Sequence, residues 1–124
     1  MLSFISICTL FFVLTACQQD EQQAFETADE AAETFLIHLS KEEFDKAYEL
    51  LDEQMADEIE EQDLEDIWAS LDQTIGEHIE FEYESTETDE PYEFVYIASH
   101  HEKEDIVFRV TVDEQFKIAG FFIV

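Results

Sequence analysis

Carboxylates dominate the side chains that could do chemistry. Thirty-three Asp and Glu stand against five Lys and Arg, giving a formal net charge of −28 over 124 residues. Glu80, Glu82 and Glu84 alternate with apolar residues, which places them on one face of a strand roughly 6.6 Å apart. Calcium holds its oxygens at about 2.3–2.6 Å, so such spacing does not by itself converge on an ion. No Asp-x-Asp-x-Asp-Gly loop occurs, and the acids of Glu58–Asp66 read as a solvated helix surface. Of the four histidines, His100 and His101 are adjacent and face opposite ways on a strand. A site from His78 and His100 needs a particular cross-strand register. Ser40, Ser70, Ser85 and Ser99 show no base partner by motif. These patterns predict no catalytic residue, no metal site and no cofactor. Nucleic acid is excluded as a direct partner, because phosphate binding needs clustered Lys and Arg.

The first sixteen residues differ from the rest. Met1–Ala16 holds no charge and is mostly apolar. As a helix it spans roughly 24 Å, short of the ~30 Å hydrocarbon core, as a signal-peptide apolar region does. It ends Leu14-Thr15-Ala16-Cys17 and is followed by the polar Gln18-Gln19-Asp20-Glu21. This sequence resembles the lipobox of bacterial lipoproteins. The resemblance implies a signal peptide at 1–16, diacylglycerol on the Cys17 sulfur, a lipidated tether at 17–23, and a membrane partner on the extracytoplasmic face. Cys8 then leaves with the peptide, so the mature chain keeps no thiol for a disulfide, a nucleophile or a metal. So acidic a surface is repelled by anionic headgroups, which makes a covalent anchor the means of attachment.

Elements that must position any site follow from periodicity. Phe25, Ala28, Ala32, Phe35, Leu36 and Leu39 make one face of a helix from about Glu21 to Leu39. Ser40-Lys41-Glu42-Glu43 matches a capping box for a second helix, with Phe44, Ala47, Tyr48 and Leu51 as its stripe. After a polar stretch at Asp52–Glu58, Asp63 can cap a third, whose stripe is Leu64, Ile67, Trp68, Leu71 and Ile75. Beyond Gly76 the period falls to 2. Ile79, Phe81 and Tyr83 mark a first strand, Thr86–Pro91 a loop, and Tyr92–His101 a second strand with Phe94, Tyr96 and Ala98 inward. Ile106–Val112 and Phe116–Val124 complete the set, and Gly120 signals a bulge. Short connections imply a meander. The reading is α+β: about three N-terminal helices packed on a curved four-stranded antiparallel sheet, one domain over 24–124.

Three segments carry a resemblance. Phe44–Met55 (FDKAYELLDEQM), Leu64–Leu71 (LEDIWASL) and Phe116–Phe122 (FKIAGFF) resemble the second helix, third helix and closing strand of a bacterial domain family of unknown function. The likeness runs over Ala24–Val124. That family is similar to the cone-shaped nuclear-transport-factor-2-like, or cystatin-like, fold, and some members precede an α/β-type serine hydrolase. No Gly-x-Ser-x-Gly elbow occurs here. The resemblance implies an accessory module and carries over no catalytic residue.

Together these readings predict a lipid-anchored, non-catalytic module that binds a small ligand or a partner protein. Phe35, Tyr48, Trp68, Phe81, Tyr83, Phe94, Tyr96 and Phe108 are the candidate lining of a cavity between helices and sheet. One alternative is homodimerisation through the outer sheet face, with Val95, Ile97 and Val107 as its apolar residues. Another is an enzyme using the cavity.

Overall fold

The computed structural model describes residues 24–124. Cys17, with the expected signal peptide at 1–16 and the expected tether at 17–23, lies outside the described residues. Four helices precede four strands: α1 Ala28–Ser40, α2 Phe44–Glu49, α3 Glu53–Glu58, α4 Glu61–Ile75, β1 His78–Asp89, β2 Tyr92–His101, β3 Asp105–Val112 and β4 Ile118–Ile123. The fold is α+β, a helix layer on a four-stranded antiparallel sheet of order β1-β2-β3-β4.

Helix α1 starts where Thr27 Oγ1 accepts the Glu30 N–H at 3.3 Å, with Asp29 and Glu30 in the first turn. The expected capping box at Ser40–Glu43 does not form. The Ser40 hydroxyl turns back to the Ile37 carbonyl, and the Glu43 carboxylate is held by His38 Nδ1 at 2.8 Å. Glu42 takes a left-handed φ of 61° between the helices. The expected polar stretch after Leu51 is instead the short helix α3, because Asp52 accepts the Met55 N–H at 2.8 Å and caps it. Asp63 sits three residues inside α4, where its carboxylate takes the Glu60 N–H at 2.7 Å. Leu64, Trp68 and Ile75 are buried as expected, but Ile67 is 38% exposed.

Gly76 ends α4 with φ +92°, and a Cβ there would stand 2.8 Å from Glu102 Cβ. Only glycine fits both the torsion and the approach.

The sheet faces differ from the alternation read in sequence. Register shifts at His78/Glu80 and Tyr83/Ser85 break the parity of β1. Ile79 and Tyr83 are 62% and 44% exposed, while Phe81 stays packed on the core. Glu80 and Glu82 lie opposite His100 and Ala98, while Glu84 falls in the second shift and has no partner of its own on β2. The polar segment expected as a loop extends β1 to Asp89. As an edge strand rich in Glu it presents charge rather than a template for further pairing.

In β2 the inner face is Val95, Ile97, Ser99 and His101, all buried, and the outer face is Phe94, Tyr96, Ala98 and His100. This inverts the expected assignment. Both sets are apolar enough to satisfy a period of 2; the β-branched residues take the side where α1 and α4 press close. Val95 and Ile97 are therefore core residues at 0% exposure, not an outward dimer stripe. Val107, opposite Ala98, does lie on the outer face.

Phe35, Leu36, Leu39, Leu64, Trp68, Ile97, Phe108, Val110 and Ile118 centre the core. Phe35 meets Phe121 edge-on at 5.1 Å, and Trp68 stacks on Phe108 at 6.4 Å. Fully burying one such ring stabilises by about 1.5–3 kcal/mol. At the β4 edge, Ile118 bridges Leu51 in parallel: its N–H donates to the Leu50 carbonyl and its carbonyl accepts the Asp52 N–H, both at 2.8 Å. That clamp brings α3 round the edge of the sheet.

Candidate functional site

Alternation along β3 sends Ile106, Phe108 and Val110 to the helices and Val107, Arg109 and Thr111 to the outer face. Arg109, the chain's one arginine, pairs in register with Tyr96 on one side and Phe122 on the other. Its Cζ lies 5.2 Å from the Phe94 ring centroid and 5.4 Å from that of Phe122. One ring thus comes from each flanking strand, within range of a cation–π contact. Among the described residues Arg109 joins no ion pair, and its Nε is buried without an acceptor.

Because the Leu51–Ile118 clamp turns α3 toward this face, Met55 and Glu58 form a wall opposite Phe94, Arg109, Thr111 and Phe122. The groove between them has a volume of about 340 Å³. Asp52 also borders it, with its carboxylate engaged by the α3 N-terminus. Apolar rings, a cation with no ion-pair partner among the described residues and a hydroxyl in a concavity are the parts of a binding surface: a guanidinium edge flanked by low-dielectric walls.

At the far end of the outer face His100 stands between two carboxylates. Nε2 is 3.1 Å from Glu82 Oε1 and Nδ1 3.1 Å from Asp105 Oδ1. Carboxylates only accept, so both contacts call for the doubly protonated ring. The Glu82 hydrogen bond, then that of Asp105, raises the His100 pKa above its ordinary value.

The inner face holds a second polar group. His101 Nδ1 donates to the Gly76 carbonyl at 3.1 Å, and Nε2 shares a hydrogen bond with the Ser99 hydroxyl at 2.8 Å. The His78 ring lies 5.3 Å from that of His101 and 4.0 Å from Phe81, with its Nε2 unpartnered. Burial first, then His101, holds its pKa below the ordinary value. A serine, a histidine and an orienting acceptor are the parts of an activated nucleophile. Here Ser99 is 0% exposed and His101 5%, and none of the described grooves is lined by either. The arrangement satisfies buried polar groups. Among the described residues no three His, Asp or Glu side chains are grouped to hold a metal ion, and no helix is long and apolar enough to cross a membrane.

The eight aromatic residues expected to line one cavity separate. Phe35, Trp68 and Phe108 are buried in the core, with Tyr48 and Phe81 packed half-buried against it. Tyr48 ties α2 to α3 through its hydroxyl, which donates to the Ala56 carbonyl at 2.6 Å. Tyr83 is exposed and hydrogen-bonds Thr86. Phe94 and Tyr96 lie on the outer face, and Tyr96 reaches Glu87 at 3.2 Å. Of the eight, Phe94 alone borders the Arg109 groove. Arg109, Phe122 and the Ser99–His101 pair were not singled out by motif. A lone arginine in so acidic a chain was visible in the sequence, as was the shared parity of residues 99 and 101. His78 lies opposite His101, not His100.

Comparison with family models matches residues 32–121 to a family described as a protein of unknown function, DUF3887. The chain belongs to that family. No curated protein matches it, and no solved structure does.

Proposed function

We propose that this member of the DUF3887 family is a lipid-anchored, extracytoplasmic binding module without catalytic activity, and that its recognition surface is the Arg109 groove. The anchor is supported by Leu14-Thr15-Ala16-Cys17 after an uncharged apolar run. Binding is supported above all by one observation: the chain's only guanidinium sits beside two aromatic rings in an open groove, with no carboxylate of the described residues paired to it. A protein with thirty-three acids has every opportunity to neutralise that charge internally. Leaving it unpaired is the mark of a group held for a ligand. The fold is read as the cone-shaped, nuclear-transport-factor-2-like class; its support is the helix layer on one face of a four-stranded antiparallel meander.

Two measurements on the full chain test this. Radiolabelled palmitate fed to a bacterium expressing the protein should enter the chain and vanish with Cys17→Ala, with the variant released from the membrane fraction. A fragment screen followed by two-dimensional NMR should move resonances of Phe94, Arg109, Thr111 and Phe122. Responses confined to the helix layer would place the binding surface elsewhere.

A further inference from the structure

We infer that the Arg109 groove takes a monoanionic carboxylate borne on a flat apolar body; this deepens the binding reading above and rests on it. Phe94 and Phe122 come from the strands either side of Arg109 and lie 5.2 and 5.4 Å from its Cζ. With rings at those positions, the guanidinium's free approach is its N–H edge. That edge is a planar fork, and its match is a carboxylate, which is planar and offers two oxygens for parallel hydrogen bonds. Nε is buried and closed to such a ligand, so the fork is the pair of terminal Nη groups, which have no hydrogen-bond partner among the described residues.

The number of charges follows from the opposite wall. Glu58 and Asp52 border the same groove, within a chain of net charge −28. One negative charge is matched by Arg109. A second would face those carboxylates unmatched, which disfavours phosphate dianions and dicarboxylates. Gln54 and Thr111 supply neutral hydrogen-bonding groups, while Met55, Ala119 and the two phenylalanines supply apolar surface for the ligand's body. A small free acid and the carboxyl end of a peptide share this chemistry.

The test titrates the full chain in detergent with benzoate, N-acetylphenylalanine, benzamide, benzylamine and inorganic phosphate, reading the Arg109 Nε–Hε resonance and the ring signals of Phe94 and Phe122. Benzoate or N-acetylphenylalanine should bind saturably, at least tenfold more tightly than benzamide and phosphate. The tighter of the two says whether a free acid or a chain end is the better fit, and either result supports the class. Arg109→Met should abolish binding, and Arg109→Lys, which keeps the charge without the fork, should weaken it about tenfold. Spectra of both variants outside the groove should be unchanged, showing that they fold. Benzamide or phosphate binding as tightly as benzoate, benzylamine binding more tightly, or Arg109→Lys binding equally well each overturns the carboxylate class while the groove stands. If no probe moves Phe94, Arg109 or Phe122, the groove reading fails with it.

Discussion

The two faces of the sheet treat their polar groups in opposite ways. On the inner face His101 spends both ring nitrogens on Gly76 and Ser99, inside a shell that excludes water. On the outer face Arg109 pairs with nothing among the described residues, beside Phe122, which is 54% exposed. Buried polar groups are costly to leave unpaired because no water reaches them, and on the inner face His78 Nε2 is the exception among the described residues. An open face can leave a group unpaired and wait for a partner. On the reading proposed above, the inner face carries stability and the outer face recognition, though the same alternation of residues along β2 and β3 builds both.

Aromatic truncation tests this contrast most severely. Phe108 is 0% exposed and stacked on Trp68, so Phe108→Ala should cost about 3–5 kcal/mol in urea unfolding. Phe122→Ala, on the outer face, should cost less than about 1 kcal/mol. Equal losses would mean that the outer face is a second core.

Part of this division was legible in sequence. The change of period after Gly76 marks the boundary between helices and strands, and short connections require a meander. The inward faces were not legible in β1, where two register shifts reset a parity that no residue type announces. Nor were they in β2, where Phe94-Tyr96-Ala98 and Val95-Ile97-Ser99 are each mainly apolar and only the closeness of the helix layer decides. The candidate site suffered from that same ambiguity. Once Phe94 is assigned inward, its meeting with Arg109 cannot be foreseen. Helix α3 hid for a different reason: its six residues include only two apolar ones, the adjacent Met55 and Ala56, too few to show a period, and the Asp52 cap with the Leu51–Ile118 bridge fixes them.

Histidine titration sharpens the contrast with a smaller effect. His78, on the inner side, has its pKa lowered from 6.5, chiefly by burial. Its contribution is complete above pH 6.5 and is lost as pH falls below that value toward the folded-state pKa. His100, on the outer side, has its pKa raised from 6.5 by Glu82 and Asp105. Its contribution is present below pH 6.5 and is lost as pH rises through the folded-state value. Thermal midpoints at pH 5 and pH 8 should show this as opposite changes relative to the parent protein. His78→Phe should lose less stability on acidification, and His100→Gln should lose less on alkalinisation. The reverse assignment would contradict the two environments.

The smallest expected effect is the most discriminating. Arg109→Met keeps the long apolar stem between Phe94 and Phe122 but removes the charge. Lost cation–π contacts cost about 0.5–1 kcal/mol each at exposed sites. Against that, removing a buried donor that has no acceptor relieves about 1–3 kcal/mol. The two nearly cancel, so the thermal midpoint should stay within a degree or two or rise, roughly ±0.5 kcal/mol for a surface change of this kind. A guanidinium that adds nothing to the fold, and has no ion-pair partner among the described residues, is there for what it binds. A clear fall in the midpoint would show instead that the guanidinium fastens β2, β3 and β4 together, and that the outer face has the same purpose as the inner.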